Sequence, residues 1–165
     1  MNHLANLENN ITRAGVFVDV QDMYNSGLNA CRCKINYPKL LPFFGNGHDI
    51  IIAQAYLLFP KNVEFNRFET VLRMSGFDIK KKALEHYASK DGSVVNYKRN
   101  QSWNVGMSVD MIKWASKLDT IFVLSSDLRM IDALDYLQTQ VRVVIVAFDK
   151  FTYMKLLKEH CDEFI

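Results

Sequence analysis

The chain predicts a three-layer α/β domain with a mainly parallel sheet of about five strands, and three features of the sequence lead there. Near-continuous apolar runs recur at 14–20, 50–59, 120–125 and 142–147, and strands buried on both faces read this way. Segments of helical periodicity separate them, as crossover helices do. Two of the runs, VFVD and TIFVLSSD, end on Asp19 and Asp127. Open parallel sheets bind their ligands outside the carboxyl ends of the strands, where the strand order reverses. If those two strands are neighbours, their aspartates share an acidic crevice.

A length of 165 residues is one domain's worth and suffices to bury a core. The chain divides into residues 1–13, a short docked helix or a tail, and a single domain over 14–165. With 49% hydrophobic and 23% charged residues the composition is that of a globular protein. A formal charge of +2 is too mild to imply nucleic acid from charge alone. Three cysteines argue against a disulfide framework and suit a reducing compartment. Cys31 and Cys33 have one intervening residue, where zinc pairs usually leave two to four. No apolar run reaches the ~20 residues that cross a bilayer, and Met1–Arg13 lacks the pattern of a signal peptide. The expectation is a cytoplasmic protein with no membrane partner, in which a homo-oligomer is allowed.

Taken in order, the first strand covers Ala14–Val20, and Gln21–Leu28 reads as a loop because Asn25, Gly27 and Asn29 punctuate it. Pro38 suits the first turn of a short helix carrying Leu40, Leu41 and Phe44, closed by Gly45-Asn46-Gly47. Ile50–Phe59 is an interior strand, ended by Pro60. Phe65, Phe68 and Leu72 set a helix stopped by Gly76. Ile79–Tyr87 reads as the edge strand, its Lys80, Lys81 and Lys82 either guarding that edge or holding phosphate. Ser89–Ser102 is polar and loop-like. Val105, Val109, Ile112 and Ala115 predict the buried face of the next helix; Met130, Ala133, Leu134 and Leu137 predict that of the one after. A strand at Arg142–Ala147 and a helix at Phe151–His160 complete the chain.

Three stretches resemble the motifs of the NYN domain, in the LabA-like branch of the PIN-like nucleases. VFVDVQDMY matches the opening strand that ends in Asp. Trp103-Asn104-Val105-Gly106-Met107-Ser108-Val109-Asp110 matches the middle element, with Asn104 in place of its first Asp. VLSSDLRM matches the third, with Arg129 in place of a carboxylate. The resemblance covers about 15–148. It implies a Rossmann-like, PIN-like α/β/α sheet in the order 3-2-1-4-5 and cleavage of RNA dependent on Mg2+ or Mn2+. Carried over by position, Asp19, Asp110 and Asp127 are metal ligands and catalytic acids, with Asp22 and Asn104 as polar support.

The chemistry agrees with those residue types. Magnesium and manganese prefer carboxylate and water oxygens, and such an ion polarises a phosphate and activates a water. Two carboxylates about 5 Å apart repel by on the order of 3 kcal/mol at an effective dielectric near 20, so a cluster of them needs an ion, protons or a resident cation. The bland reading is that Asp127 caps a helix and Asp110 faces solvent. Ser125 and Ser126 either bind phosphate, orient Asp127 or are small turn residues. Lys98, Arg99 and Trp103 supply cations and an aromatic ring for RNA, unless Trp103 packs inward. Arg129 extends outward to phosphate or folds onto Asp127, and the outward form is expected. A metal-dependent ribonuclease is the first reading. An RNA- or protein-binding module of the same fold, with Arg129 in place of the ion, is the second. A phosphatase of haloacid dehalogenase type is the third, weaker because its acid pair has one intervening residue and Asp19 and Asp22 have two.

Overall fold

The computed structural model describes residues 11–60, 66–84, 86–88, 95–97, 102–149 and 154–165. In chain order the elements are β1 (Thr12–Asp19), α1 (Val20–Cys31), α2 (Tyr37–Phe44), β2 (His48–Pro60), α3 (Asn66–Met74), β3 (Asp78–Leu84), β4 (His86–Ala88), β5 (Val95–Tyr97), α4 (Asn104–Ala115), β6 (Thr120–Leu124), α5 (Ile131–Gln138), β7 (Arg142–Val146), α6 (Met154–Glu159) and β8 (Glu163–Phe164). Six of the strands form one sheet in the order β3-β2-β1-β6-β7-β8, every pairing parallel. Counted within that sheet the order is 3-2-1-4-5-6, the expected arrangement with a sixth strand added. That strand is two residues long and carries no periodicity to read. The pair β4-β5 forms a separate antiparallel ribbon, so the expected edge strand ends at Leu84 and the expected loop contains a strand.

β1 and β6 have no solvent face. Val16 and Val18 pack into one core layer, Phe17 into the other, and β6 is buried throughout. Helices α1, α2 and α3 flank the first layer and α4, α5 and α6 the second, which is the three-layer solution for a sheet apolar on both faces.

Gln21–Leu28 is helix, not loop. Asp19 caps α1 by accepting from the Asp22 N–H at 3.0 Å. Gly27 is there for proximity: a Cβ would stand 3.0 Å from the Cys33 carbonyl and 3.1 Å from the Phe148 ring. The helix ends at Arg32 in the left-handed conformation, and Cys31 and Cys33 pair as a disulfide, which the low cysteine count did not foretell. Gly76 closes α3 at φ +92° as expected.

Helix α4 is rotated from the expected face. Met107, Met111 and Ala115 are buried, while Val105 is 71% exposed and Val109 and Ile112 also meet solvent. Met107, Met111 and Ala115, each four apart, turn into the core, and in that rotation the Asp110 carboxylate reaches Tyr56 and Lys80 on the sheet.

Candidate functional site

Strand order reverses between β1 and β6, and the crevice at their carboxyl ends holds the acidic residues. Val18 pairs in register with Leu124. Asp19 therefore follows one residue past that pair and Asp127 three, both at the same end of the sheet. They line one cleft of about 440 Å³ together with Gln21, Asp22, Ser126 and Arg129. The condition for a shared crevice, neighbouring strands, is met.

Asp22 is the tie across the crevice. Its carboxylate accepts from the Ser126 N–H at 2.5 Å, from the Ser126 hydroxyl at 2.8 and 2.9 Å, and from the Ser125 hydroxyl at 3.2 Å. The two serines are thus spent on Asp22, and the Ser125 hydroxyl also receives the Asp127 N–H at 3.2 Å. They fasten the loop after β6 to the first turn of α1, and through Ser125 they orient Asp127, as one of the expected roles had it.

Asp127 does two jobs. It caps the short 3-10 turn Leu128–Met130 by accepting from the Arg129 N–H. Its two carboxylate oxygens also receive the Arg129 guanidinium, Nε at 2.9 and 3.1 Å and Nη2 at 2.6 Å. Arg129 accordingly folds back onto Asp127, against the outward expectation. A fork onto a carboxylate two residues earlier costs little chain entropy and satisfies both planar groups. The guanidinium side chain still exposes 56% of its surface.

Asp110 does not line this cleft. It accepts from the Tyr56 hydroxyl at 2.9 Å and from Lys80 Nζ at 2.5 Å, and the same hydroxyl lies 2.6 Å from Gln54. Asp19 and Asp127 share the cleft, while Asp110 is engaged by Tyr56, the register partner of Asp19 on β2, and by Lys80, which is no edge guard but the partner of a largely buried acid. Gln54 and Tyr56 were missed as members of this cluster. Their signal was present: two polar side chains two residues apart on one face of an otherwise apolar strand.

Of the remaining expected contacts, Asn104 accepts from the Ser102 hydroxyl at the start of α4, and Ser102 lines the cleft. Trp103 is packed inward. Its Nε1–H donates to the Leu57 carbonyl at 2.9 Å, its ring lies 5.3 Å from that of Tyr56, and Lys82 sits over it at 4.7 Å. That is a structural anchor for α4, with the ring half-buried. Lys98 and Arg99 lie outside the described residues.

Burial dominates the electrostatics of Asp19. With 6% of its surface exposed, its carboxyl is pushed up from 3.8 to about 6, mainly by loss of solvent, while the Asp22 N–H bond opposes the rise and the charges of Asp22 and Asp127 add to it. Among the described residues no three His, Cys, Asp or Glu side chains form a ready-made metal cluster. The donors that fit a magnesium-like ion are Asp19 and Asp127. Such ions keep most of their waters and take one or two carboxylates. Arg129 must yield the Asp127 oxygens for this to happen; its guanidinium is half exposed, while the carboxylate it grips is largely buried.

Comparison with known proteins agrees with the sheet order. A solved structure described as a protein of unknown function from Vibrio parahaemolyticus superposes with a TM-score of 0.77 over 94% of this chain and 92% of that one, at 22% identity. A likeness at that identity speaks for the fold. No curated protein matches the chain. The model of the NYN domain family does, from residue 13 to residue 165, so that the β1 and β6 aspartates and everything between and after them fall inside one match. On that extent the chain belongs to the NYN domain family, a group of PIN-like nucleases.

Proposed function

We propose that this chain is a metal-assisted ribonuclease that hydrolyses RNA phosphodiester bonds at the Asp19 cleft. The observation that carries the reading is the charge of the cleft. Asp19, Asp22 and Asp127 bring three formal negative charges and Arg129 one positive, which leaves −2. Such a cleft repels a phosphate by itself and draws in one divalent cation.

Asp19 and Asp127 would hold the ion, Mg2+ or Mn2+, which when bound supplies a polarised phosphate oxygen and an acidified water. The chain's own residues do the positioning. Asp22, fastened by Ser125 and Ser126, fixes the separation of the two loops that carry the ligands. Arg129 exchanges its Asp127 partner for a phosphate oxygen, a trade between two charge-assisted bonds that stabilises negative charge on the non-bridging oxygens of the scissile phosphate.

A second reading is favoured by the Arg129 fork itself, together with Asn104 in the place of an acid. If Arg129 keeps both Asp127 oxygens, no ion enters, and the chain is a module that binds a protein, or RNA by surfaces outside the acidic cleft, without cutting it. Manganese calorimetry and cleavage of end-labelled RNA separate the two, with wild type, Asp127→Asn and Arg129→Asp compared. Metal-stimulated cleavage by wild type that disappears in Asp127→Asn supports the ribonuclease. No metal binding and no cleavage by wild type, with both appearing in Arg129→Asp, supports the binding module.

A further inference from the structure

A second pocket, of about 450 Å³, opens directly beside the acidic cleft, and Gln21 and Leu58 line both. Its size falls in the ~300–1,000 Å³ range of small-molecule sites. The pocket follows from the course of the chain after β1. Once Asp19 caps α1, the first turns of that helix pass over the end of β2, and Gln21 and Tyr24, three apart, face the same opening. Tyr37, 6% exposed, and Phe68 contribute rings that meet edge to face at 5.5 Å. Tyr24 brings a third ring and leaves 44% of its surface open.

The polar content of the pocket is small and placed at its rim. Gln21 carries both a donor and an acceptor, and Lys34 carries a positive charge that none of the cleft residues neutralises. Burial, with a smaller contribution from the charge of Asp19, raises the Tyr37 hydroxyl above its ordinary value.

We infer that this pocket is a nucleobase subsite, seating one base of an RNA strand whose phosphodiester lies at Asp19. The inference rests on the ribonuclease-fold reading above and names the part of the substrate that gives it grip. Three observations select a base over an apolar side chain of a protein partner. Aromatic rings line a slot with one amide at its rim, the pattern by which single-stranded RNA is held. Lys34 adds an exposed positive charge at the rim, which suits a polyanion. The pocket adjoins the cleft, with Gln21 and Leu58 lining both, so a base and its own phosphate would fall in neighbouring spaces.

The test uses an eight-residue phosphorothioate-linked RNA in manganese buffer, with binding read by fluorescence anisotropy. The same RNA is then made abasic at each position in turn. One position should weaken binding roughly tenfold, and that penalty should vanish in Tyr24→Ala, which binds the intact RNA roughly tenfold more weakly. Lys34→Glu, an exposed change, should weaken the intact RNA and flatten its dependence on salt. If the intact RNA binds and every abasic version binds as well, or if the penalty persists in Tyr24→Ala, the subsite is overturned and the ribonuclease reading stands. If the intact RNA does not bind, both fall together. A pocket that takes up an apolar dye while no nucleotide displaces it assigns the surface to a protein partner and overturns the subsite.

Discussion

Arg129 grips both carboxylate oxygens of Asp127 at 2.6–3.1 Å, in the position where a divalent ion would compete for them. The guanidinium and an ion therefore exclude each other at Asp127. Arg129→Ala removes the competitor and takes the formal cleft charge from −2 to −3, so manganese should bind about tenfold more tightly. Titration calorimetry at fixed ionic strength measures this. Equal affinities in wild type and Arg129→Ala would show that the ion does not use Asp127.

The tie between Asp22 and Ser126 makes a different prediction, one of stability. Asp22→Ala leaves the Ser126 N–H, on a residue 6% exposed, without its acceptor. The cost should be about 1–3 kcal/mol. Asp22→Asn keeps an acceptor oxygen and should lose well under half of that, although it removes one charge from the cleft. Urea unfolding of the two variants distinguishes them; equal losses would mean that the charge of Asp22, and not its bond to Ser126, holds the loops together.

Why some of this was legible in the sequence and some was not comes down to the range of the interactions. Strands β1, β2, β6 and β7 were readable because burial on both faces imposes composition residue by residue, and Asp19 and Asp127 announced themselves by ending such runs. Helix α1 was not readable. Gly27 and Asn25 look like loop signals locally, and the glycine inside that helix is explained by close approach of the Cys33 carbonyl after the helix and of Phe148, more than a hundred residues away. The face of α4 failed for a related reason. Val105, Val109 and Ile112 have helical spacing, but Met107, Met111 and Ala115 have it too, and these are the ones that pack into the core with residues remote in sequence. Trp103 and Lys80 had two readings each, and the neighbour that each one bonds, Leu57 and Asp110, is remote in sequence.

Lys80 and Asp110 can be tested as a unit. The Asp110 side chain is 13% exposed and that of Lys80 37%, so the pair is sheltered but not dry. Lys80→Met leaves the carboxylate with the Tyr56 hydroxyl alone and should cost about 1–2 kcal/mol. Adding Asp110→Leu should recover most of it, since an apolar pair of similar volume tolerates this site. Melting temperatures of the two single variants and the double variant form the cycle. Additive losses would mean that the two side chains do not interact.

The buried carboxyl of Asp19 predicts a trade between stability and function. Its value rises from 3.8 to about 6, chiefly because burial disfavours the charged form. Below about pH 4 the group is protonated in both folded and unfolded chains, so it contributes no difference. As pH climbs from about 4 to 6 the unfolded chain releases its proton while the folded one retains it, and the folded state loses stability across that window. Above it the loss is constant, of order 3 kcal/mol by linkage. Asn at position 19 can accept the Asp22 N–H as the helix cap does now, without the charge. Asp19→Asn should therefore raise the melting temperature at pH 7.5 and leave it nearly unchanged at pH 4, both measured in chelator so that no ion contributes. Its manganese binding should fall at the same time, because a group that costs stability to bury is retained for what its charge attracts. A shift of the same size at both pH values would place the cost elsewhere than on the Asp19 carboxyl.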